Sequence, residues 1–406
     1  MTPLRLAWAN LVHKRTRTLV AVAGVAFACV LIFMEVGMMG GVARTATMLY
    51  DKLQFDLLIT SSEYLDLSRP GQVPRARLAQ ARVEGVESVL PLSFGVADWR
   101  APARRSLLGS PVPAGEQMSI NIVAAPPDQL DRVFVTGEGG VFPSPEAARG
   151  AGRELTPTGT FLLDRRAKPE FGDVEKLVAV PPDGSGGDRV RVNGRRARVV
   201  GGFEVGTGFS WNGLLLTSET TYEQFTHHPP DEVSFGLVKL KPGASAAEVR
   251  ARLRAALPPG VRVHTREEIG TAEPDYWMWL TSVGQLLAVA VALAVVVGVI
   301  FVYQMMAADI RNMLPEYATV KALGYRRPYL TGVVIWQAVL LAAFGYAPAF
   351  FAAMGFYFVA TNYAGIPTGM TPGIALAVLA LTVGMCLASG LLAVRKVHAA
   401  DPADLF

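Results

Sequence analysis

The side chains best suited to chemistry are few in this chain, and their spacing does not favour it. Two histidines stand together, His227-His228, directly before Pro229-Pro230. They are a weak metal signal, and a solvent-exposed turn is the plainer reading. Neither H-E-x-x-H nor C-x-x-C occurs, and no G-x-x-x-x-G-K-[ST] loop is present to cradle the phosphates of a nucleotide. No Ser/His/Asp set stands out in a local motif. Cys29 and Cys386 both fall in long apolar runs, so the polar part of the chain can have no internal disulfide. The sequence therefore predicts no catalytic residue, no metal site and no directly bound cofactor. The net charge of +4 over 406 residues gives no argument for nucleic acid.

One acid lies inside an apolar run. Glu35 is within 18–42, and an ionisable group in a membrane segment is a functional candidate by default. Counted from Arg17 at about 1.5 Å per residue, it sits roughly 27 Å along a helix, near the far boundary of the hydrocarbon layer. A solvated rim position and a proton relay both remain open for it.

The elements that would position such residues are set by hydropathy. Three regions, 18–42, 276–308 and 328–394, read as membrane. A hydrocarbon core of ~30 Å takes about 20 helical residues to cross. The first two regions cross once each. The third is interrupted by turn chemistry at 361–373 and crosses twice. The expected boundaries are 17–42, 276–308, 328–360 and 374–394 for the spans. A cytoplasmic helix at 1–16, a short outer loop at 361–373 and a tail at 395–406 complete the membrane part. The run at 18–42 is too long for a signal peptide and is expected to stay as an anchor.

Lys and Arg near membrane ends mark the cytoplasmic side. Arg5, Lys14, Arg15 and Arg17 precede the first span, Arg311, Lys321, Arg326 and Arg327 lie between the second and third, and Arg395 and Lys396 follow the fourth. Both termini and the 309–327 segment are thus expected inside, and 43–275 outside. In residues 3–14, Leu4, Trp8, Leu11 and Val12 form one stripe opposite Arg5 and Lys14. The segment either lies in the inner interface or simply extends the first span.

The 43–275 domain begins and ends with similar units. Phe55–Thr60, Pro74–Val83 and Val86–Val96 read as strand, helix and strand, as do Phe235–Leu240, Ala244–Leu257 and Val261–His264. Halves at about 55–100 and 233–265 predict a ferredoxin-like α+β layer. The intervening 101–232 reads as a β-rich insertion, with Asn193-Gly194 as a type I′ hairpin turn. Phe209 and Trp211, in a Gly-rich stretch, are either an exposed partner contact or core residues. Gly24/Ala28 and Gly37/Gly41 are small-xxx-small pairs suited to a dimer contact or to packing within one bundle. The helix from about 266 is expected to continue through Tyr276, Trp277 and Trp279 into the second span as a stalk.

Between the second and third spans lies a charged island, 309–327. Asn312 can cap a separate short helix with Pro315 in its first turn, Glu316 at the positive end of the dipole and Gly324 past its end. Ile310, Met313, Leu314, Tyr317 and Val320 line one face, which either rests on the membrane or fits a socket on another protein.

Here the sequence resembles a known family. Leu314-Pro-Glu-Tyr-Ala-Thr-Val-Lys-Ala-Leu-Gly-Tyr325 is similar to the signature after the second span in FtsX-like permeases, and more narrowly in the DevC-type branch of MacB-like ABC exporters. Gly24–Ala28, Phe33–Gly37, Phe161–Gly172 and Arg395–Phe406 add further likeness in the same order, with Glu35 departing where an uncharged Gln is expected.

The resemblance implies a homodimeric permease in the bacterial inner membrane, with a separate ABC ATPase that uses ATP and Mg. The ATPase would drive a periplasmic domain by mechanotransmission. It further implies a membrane-fusion protein as partner and a TolC-type outer-membrane duct. By the same likeness 309–325 is the ATPase-coupling helix, with Met313, Leu314, Pro315, Glu316, Tyr317, Val320, Lys321, Leu323 and Gly324 as its residues. An FtsX-like transducer that activates a cell-wall hydrolase and a lipoprotein-releasing permease are the alternatives. The cargo is not legible.

Overall fold

The computed structural model describes residues 2–13, 15–100, 104–105, 111–112, 116–179, 189–209, 211–322, 327–363 and 366–399. The chain divides into two compact units. One comprises 1–41, 282–364 and 368–406, and the other 42–281 with 365–367.

In the first unit, α1 (Pro3–His13) precedes α2 (Arg15–Asp51). The other long helices are α8 (Ser282–Ala322), α9 (Arg327–Tyr363) and α10 (Pro372–Ala399). Four segments of these are long and apolar enough to cross a membrane: Arg15–Asp51, Ser282–Ala308, Thr331–Tyr363 and Pro372–Val394. Their shared core runs through Cys29, Phe33, Val302, Met306, Ala338, Ala353, Val378 and Cys386. Lipid is as apolar as these side chains, so small residues and hydrogen bonds hold such helices together. Ser389 Oγ donates to the Val299 carbonyl at 2.9 Å, Tyr346 Oη donates to that of Ala375 at 2.9 Å, and Tyr357 Oη donates to that of Phe33. On α1, Ala7 and Leu11 are buried while Leu4, Trp8 and Val12 are exposed.

The second unit is built on one sheet. Its strands are β1 (Leu57–Ser61), β2 (Val86–Arg100), β3 (Gln117–Ala124), β4 (Thr160–Asp164), β5 (Arg189–Val192), β6 (Arg195–Phe203), β7 (Leu214–Thr217), β8 (Phe235–Leu240) and β9 (Val261–Thr265). The order is β9-β1-β8-β2-β3-β7-β4-β6-β5. The first four, all antiparallel and crossed by α3 (Arg75–Gln80) and α6 (Ala246–Ala256), make the expected ferredoxin-like layer. Val249 and Leu253 of α6 meet Leu57, Ile59, Leu78 and Val263 in one core.

The long strand β2 serves both halves of the sheet. Residues Val86–Leu92 pair with β8, and Ser93–Arg100 pair with β3. At its far end Trp99 and Arg100 pair with β5, so the inserted strands close on themselves around Trp99, Phe161, Phe171 and Phe225. The β5–β6 hairpin turns at Asn193 and Gly194 with φ of 48° and 75°, the left-handed pair a type I′ turn demands.

The expected continuous stalk is corrected. Helix α7 (Arg266–Asp275) passes into a π-helical turn, Tyr276–Leu280, and Thr281 is extended at φ −95° and ψ 153°. The long apolar helix therefore starts at Ser282 rather than at 276. Three consecutive bulky residues, Trp277, Met278 and Trp279, wind wide, and the β-branched Thr281 favours the extended backbone at the break.

Candidate functional site

The charged island lies at the C-terminal end of α8, whose backbone is one helix from Ser282 to Ala322. The separate short helix capped by Asn312 is therefore corrected. Met313, Leu314, Pro315, Glu316, Tyr317, Val320 and Lys321 are in the last turns of α8, whereas Leu323 and Gly324 lie outside the described residues. Pro315 removes one backbone donor from a helix interior. Good helix formers on both sides, among them Met313, Leu314, Glu316 and Ala318, carry the chain through.

The structure splits the aromatic pair of the Gly-rich stretch. Trp211 is 5% exposed, and its indole N–H donates to the Gly206 carbonyl at 2.9 Å with Phe94 beside the ring. It is a core residue, so the exposed pair is corrected. Phe209 alone, at 36% exposure, stays at the surface.

The Gly-rich stretch is anchored by Asp164, the last residue of β4. Its carboxylate accepts from the Arg166 N–H at 2.9 Å and from the Gly206 N–H at 2.7 Å. Burial pushes this carboxyl above its ordinary range, opposed by the amides of Arg166, Gly206 and Val205. The Phe161–Gly172 segment is thus a strand and turn that tie two loops, with Gly172 at φ 124° closing it.

The small-xxx-small residues face helices of their own chain. A Cβ on Gly24 would fall 1.6 Å from the Phe301 ring, and one on Gly37 would fall 2.3 Å from Tyr357 Oη. Ala28 packs beside Gly298 of α8, and Gly41 is buried. Gly24, Ala28 and Gly37 thus pack against helices of the same bundle. Glu35 is half-buried with no salt bridge among the described residues.

His227 sits in the left-handed region at φ 55° and closes the helix Glu219–Thr226 that follows β7. His228 Nε2 lies 3.2 Å from the Glu232 carbonyl, with its ring edge-on to Tyr222. The pair forms a turn, as the plainer reading had it.

One chemically notable residue escaped the sequence. Glu273 on α7 is 1% exposed, and burial raises its carboxyl to about 7. The signal was its position. Glu273 follows the buried Ile269 by one helical turn, which sets an acid on the apolar stripe.

Two family models match the chain in order. Residues 18–256 match the MacB-like periplasmic core domain, and residues 288–402 match the FtsX-like permease C-terminal domain. Together with the four apolar helices and the large α+β domain, they define an ABC-type permease subunit. The chain belongs to the FtsX-like and MacB-like permease family.

No curated protein matches the chain. Among solved structures, the periplasmic region of MacB from Actinobacillus actinomycetemcomitans is similar at 12% identity and a TM-score of 0.35, covering 54% of this chain and 93% of that one. The extracellular domain of the noncanonic ABC-type transporter YknZ from Gram-positive bacteria is similar at 12% identity and a TM-score of 0.31. It covers 52% of this chain and 100% of that one.

Proposed function

We propose that this chain is the permease subunit of an ABC-type exporter and works by mechanotransmission. ATP hydrolysis in a separate ATPase moves α8, and through it the large domain, without a catalytic group in this chain. The observation that carries this reading is the presence in one chain, in order, of a MacB-like core and an FtsX-like permease segment. On this reading the chain acts as a homodimer in the inner membrane, both termini cytoplasmic and the large domain periplasmic. The ATPase binds ATP and Mg. A membrane-fusion protein and a TolC-type duct complete a tripartite system, and the DevC-type likeness of 314–325 supports that arrangement.

The end of α8 is the point where the ATPase engages. A charged segment between two apolar helices is held at one membrane face, and Leu314, Glu316, Tyr317, Lys321 and Leu323 are its proposed contacts. Leu314→Asp or Tyr317→Asp is expected to abolish co-purification of the ATPase while the chain stays membrane-inserted. Full ATPase recovery with both variants would remove the coupling assignment.

A further inference from the structure

Within the large domain, three oxygens from three separate segments touch one another. Glu273 Oε1, on α7, lies 3.1 Å from Tyr50 Oη and within hydrogen-bond reach of Tyr64 Oη. Tyr50, near the end of α2, has its hydroxyl 2.7 Å from that of Tyr64, in the loop after β1. Glu273 Oε2 is buried and makes no hydrogen bond. The Leu67 backbone amide lies near enough to favour the charge but falls short of hydrogen-bond geometry.

A count of protons decides which form of the acid suits this ring. Three mutual contacts need three protons, and the two hydroxyls carry one each. With an ionised carboxylate, one contact is two oxygens facing each other without a hydrogen. With the neutral acid, Glu273 donates to Tyr64, Tyr64 donates to Tyr50, and Tyr50 donates back to Oε1. Each group then donates once and accepts once.

The surroundings favour the same form. Asp66 is buried and accepts from the Ser68 N–H at 2.8 Å and from Arg69 Nε at 3.2 Å. The other end of Arg69 reaches Tyr276. Arg266 is taken up by the carbonyls of Tyr50, Leu53 and Phe55, and it stacks on the Phe55 ring. Arg250 of α6 pairs with Glu268 at 2.7 Å. His264 of β9, 6.1 Å from the Tyr64 ring, is held by burial below its ordinary range. Phe235 packs edge-on against both tyrosines. Among the described residues no cation pairs with Glu273.

We propose that Glu273, Tyr50 and Tyr64 form a proton-operated latch that holds these three segments of the large domain together when the carboxyl is neutral and loosens them when the carboxyl ionises. The latch ties the end of α2 and the 62–69 loop to α7. Burial sets its midpoint at about 7, which places the transition at ordinary external pH. It depends on this chain alone and does not require the ATPase reading.

The test is an infrared pH titration of the full-length protein in lipid nanodiscs, with glutamate carboxyl carbons isotopically labelled to separate Glu from Asp. A protonated glutamate band is expected to persist to a midpoint near 7, well above the about 4.3 of an exposed glutamate. The band is expected to be absent from Glu273→Gln. Hydrogen exchange of the 62–69 loop and α7 is expected to rise through the same midpoint in the wild type, beyond its intrinsic pH dependence. In Glu273→Gln, a permanently neutral amide, it should not. Disappearance of every labelled band by about pH 5, or equal exchange profiles in the two proteins, would overturn the latch. The labelled wild type decides the first point even if the variant does not fold.

Discussion

A buried indole with its N–H satisfied is among the costliest side chains to remove, because both packing and a hydrogen bond go with it. Trp211 is such a residue, and Trp211→Ala is expected to destabilise the large domain by about 3–5 kcal/mol in denaturant unfolding. Phe209→Ala, two residues away at the surface, should stay within about 0.5 kcal/mol. The sequence could not separate them. Both stand in a Gly-rich stretch with no period, and burial there is set by Asp164, some forty residues earlier, gripping the Gly206 amide. Glu273 was hidden for a related reason, since its tyrosine partners come from segments more than two hundred residues away.

Its pH signature has a definite sign. The folded-state value of about 7 exceeds the ordinary 4.5, so the native state binds more protons between them and stability falls as pH rises through that window. At about 1.4 kcal/mol per unit the full loss is roughly 3.5 kcal/mol, complete above pH ~7. Glu273→Gln should flatten this part of a stability–pH curve. Asp164 contributes with the same sign, because burial raises it too.

At the scale of elements, most of the large domain was legible. The β-α-β units, the closing helix with Val249 and Leu253 inward, and the Asn193-Gly194 hairpin follow from periodicity and turn chemistry, and all three formed. The helix ends around the membrane were not legible. Local signals at Asn312 and Pro315 favoured a new helix, yet the cooperativity of a long helix carried α8 past them. At 276–281 the reverse occurred, and an apolar run that looked continuous breaks at Thr281. The small-residue pairs of α2 also read ambiguously, because close approach leaves the same pattern within a chain as between chains. Gly24→Leu would drive a side chain into Phe301. It is expected to lower thermal stability and the yield of folded protein without selectively shifting the monomer–dimer balance of what folds. A specific loss of dimer at unchanged stability would instead favour a dimer contact.

For the whole molecule, the chain joins a MacB-like domain to FtsX-like permease helices, and on the proposed function the ATP chemistry belongs to a partner. Mechanotransmission requires that an event at the nucleotide be felt in the large domain. The direct measurement is hydrogen exchange of the large domain in nanodisc-reconstituted chain with its ATPase, compared between ATP-bound and ADP-bound states. Exchange in the 62–69 loop and α7 is expected to change with ATP in the wild type and to stay constant in Tyr317→Asp. Identical exchange throughout 43–275 in the two nucleotide states, with a bound and active ATPase, would contradict the account.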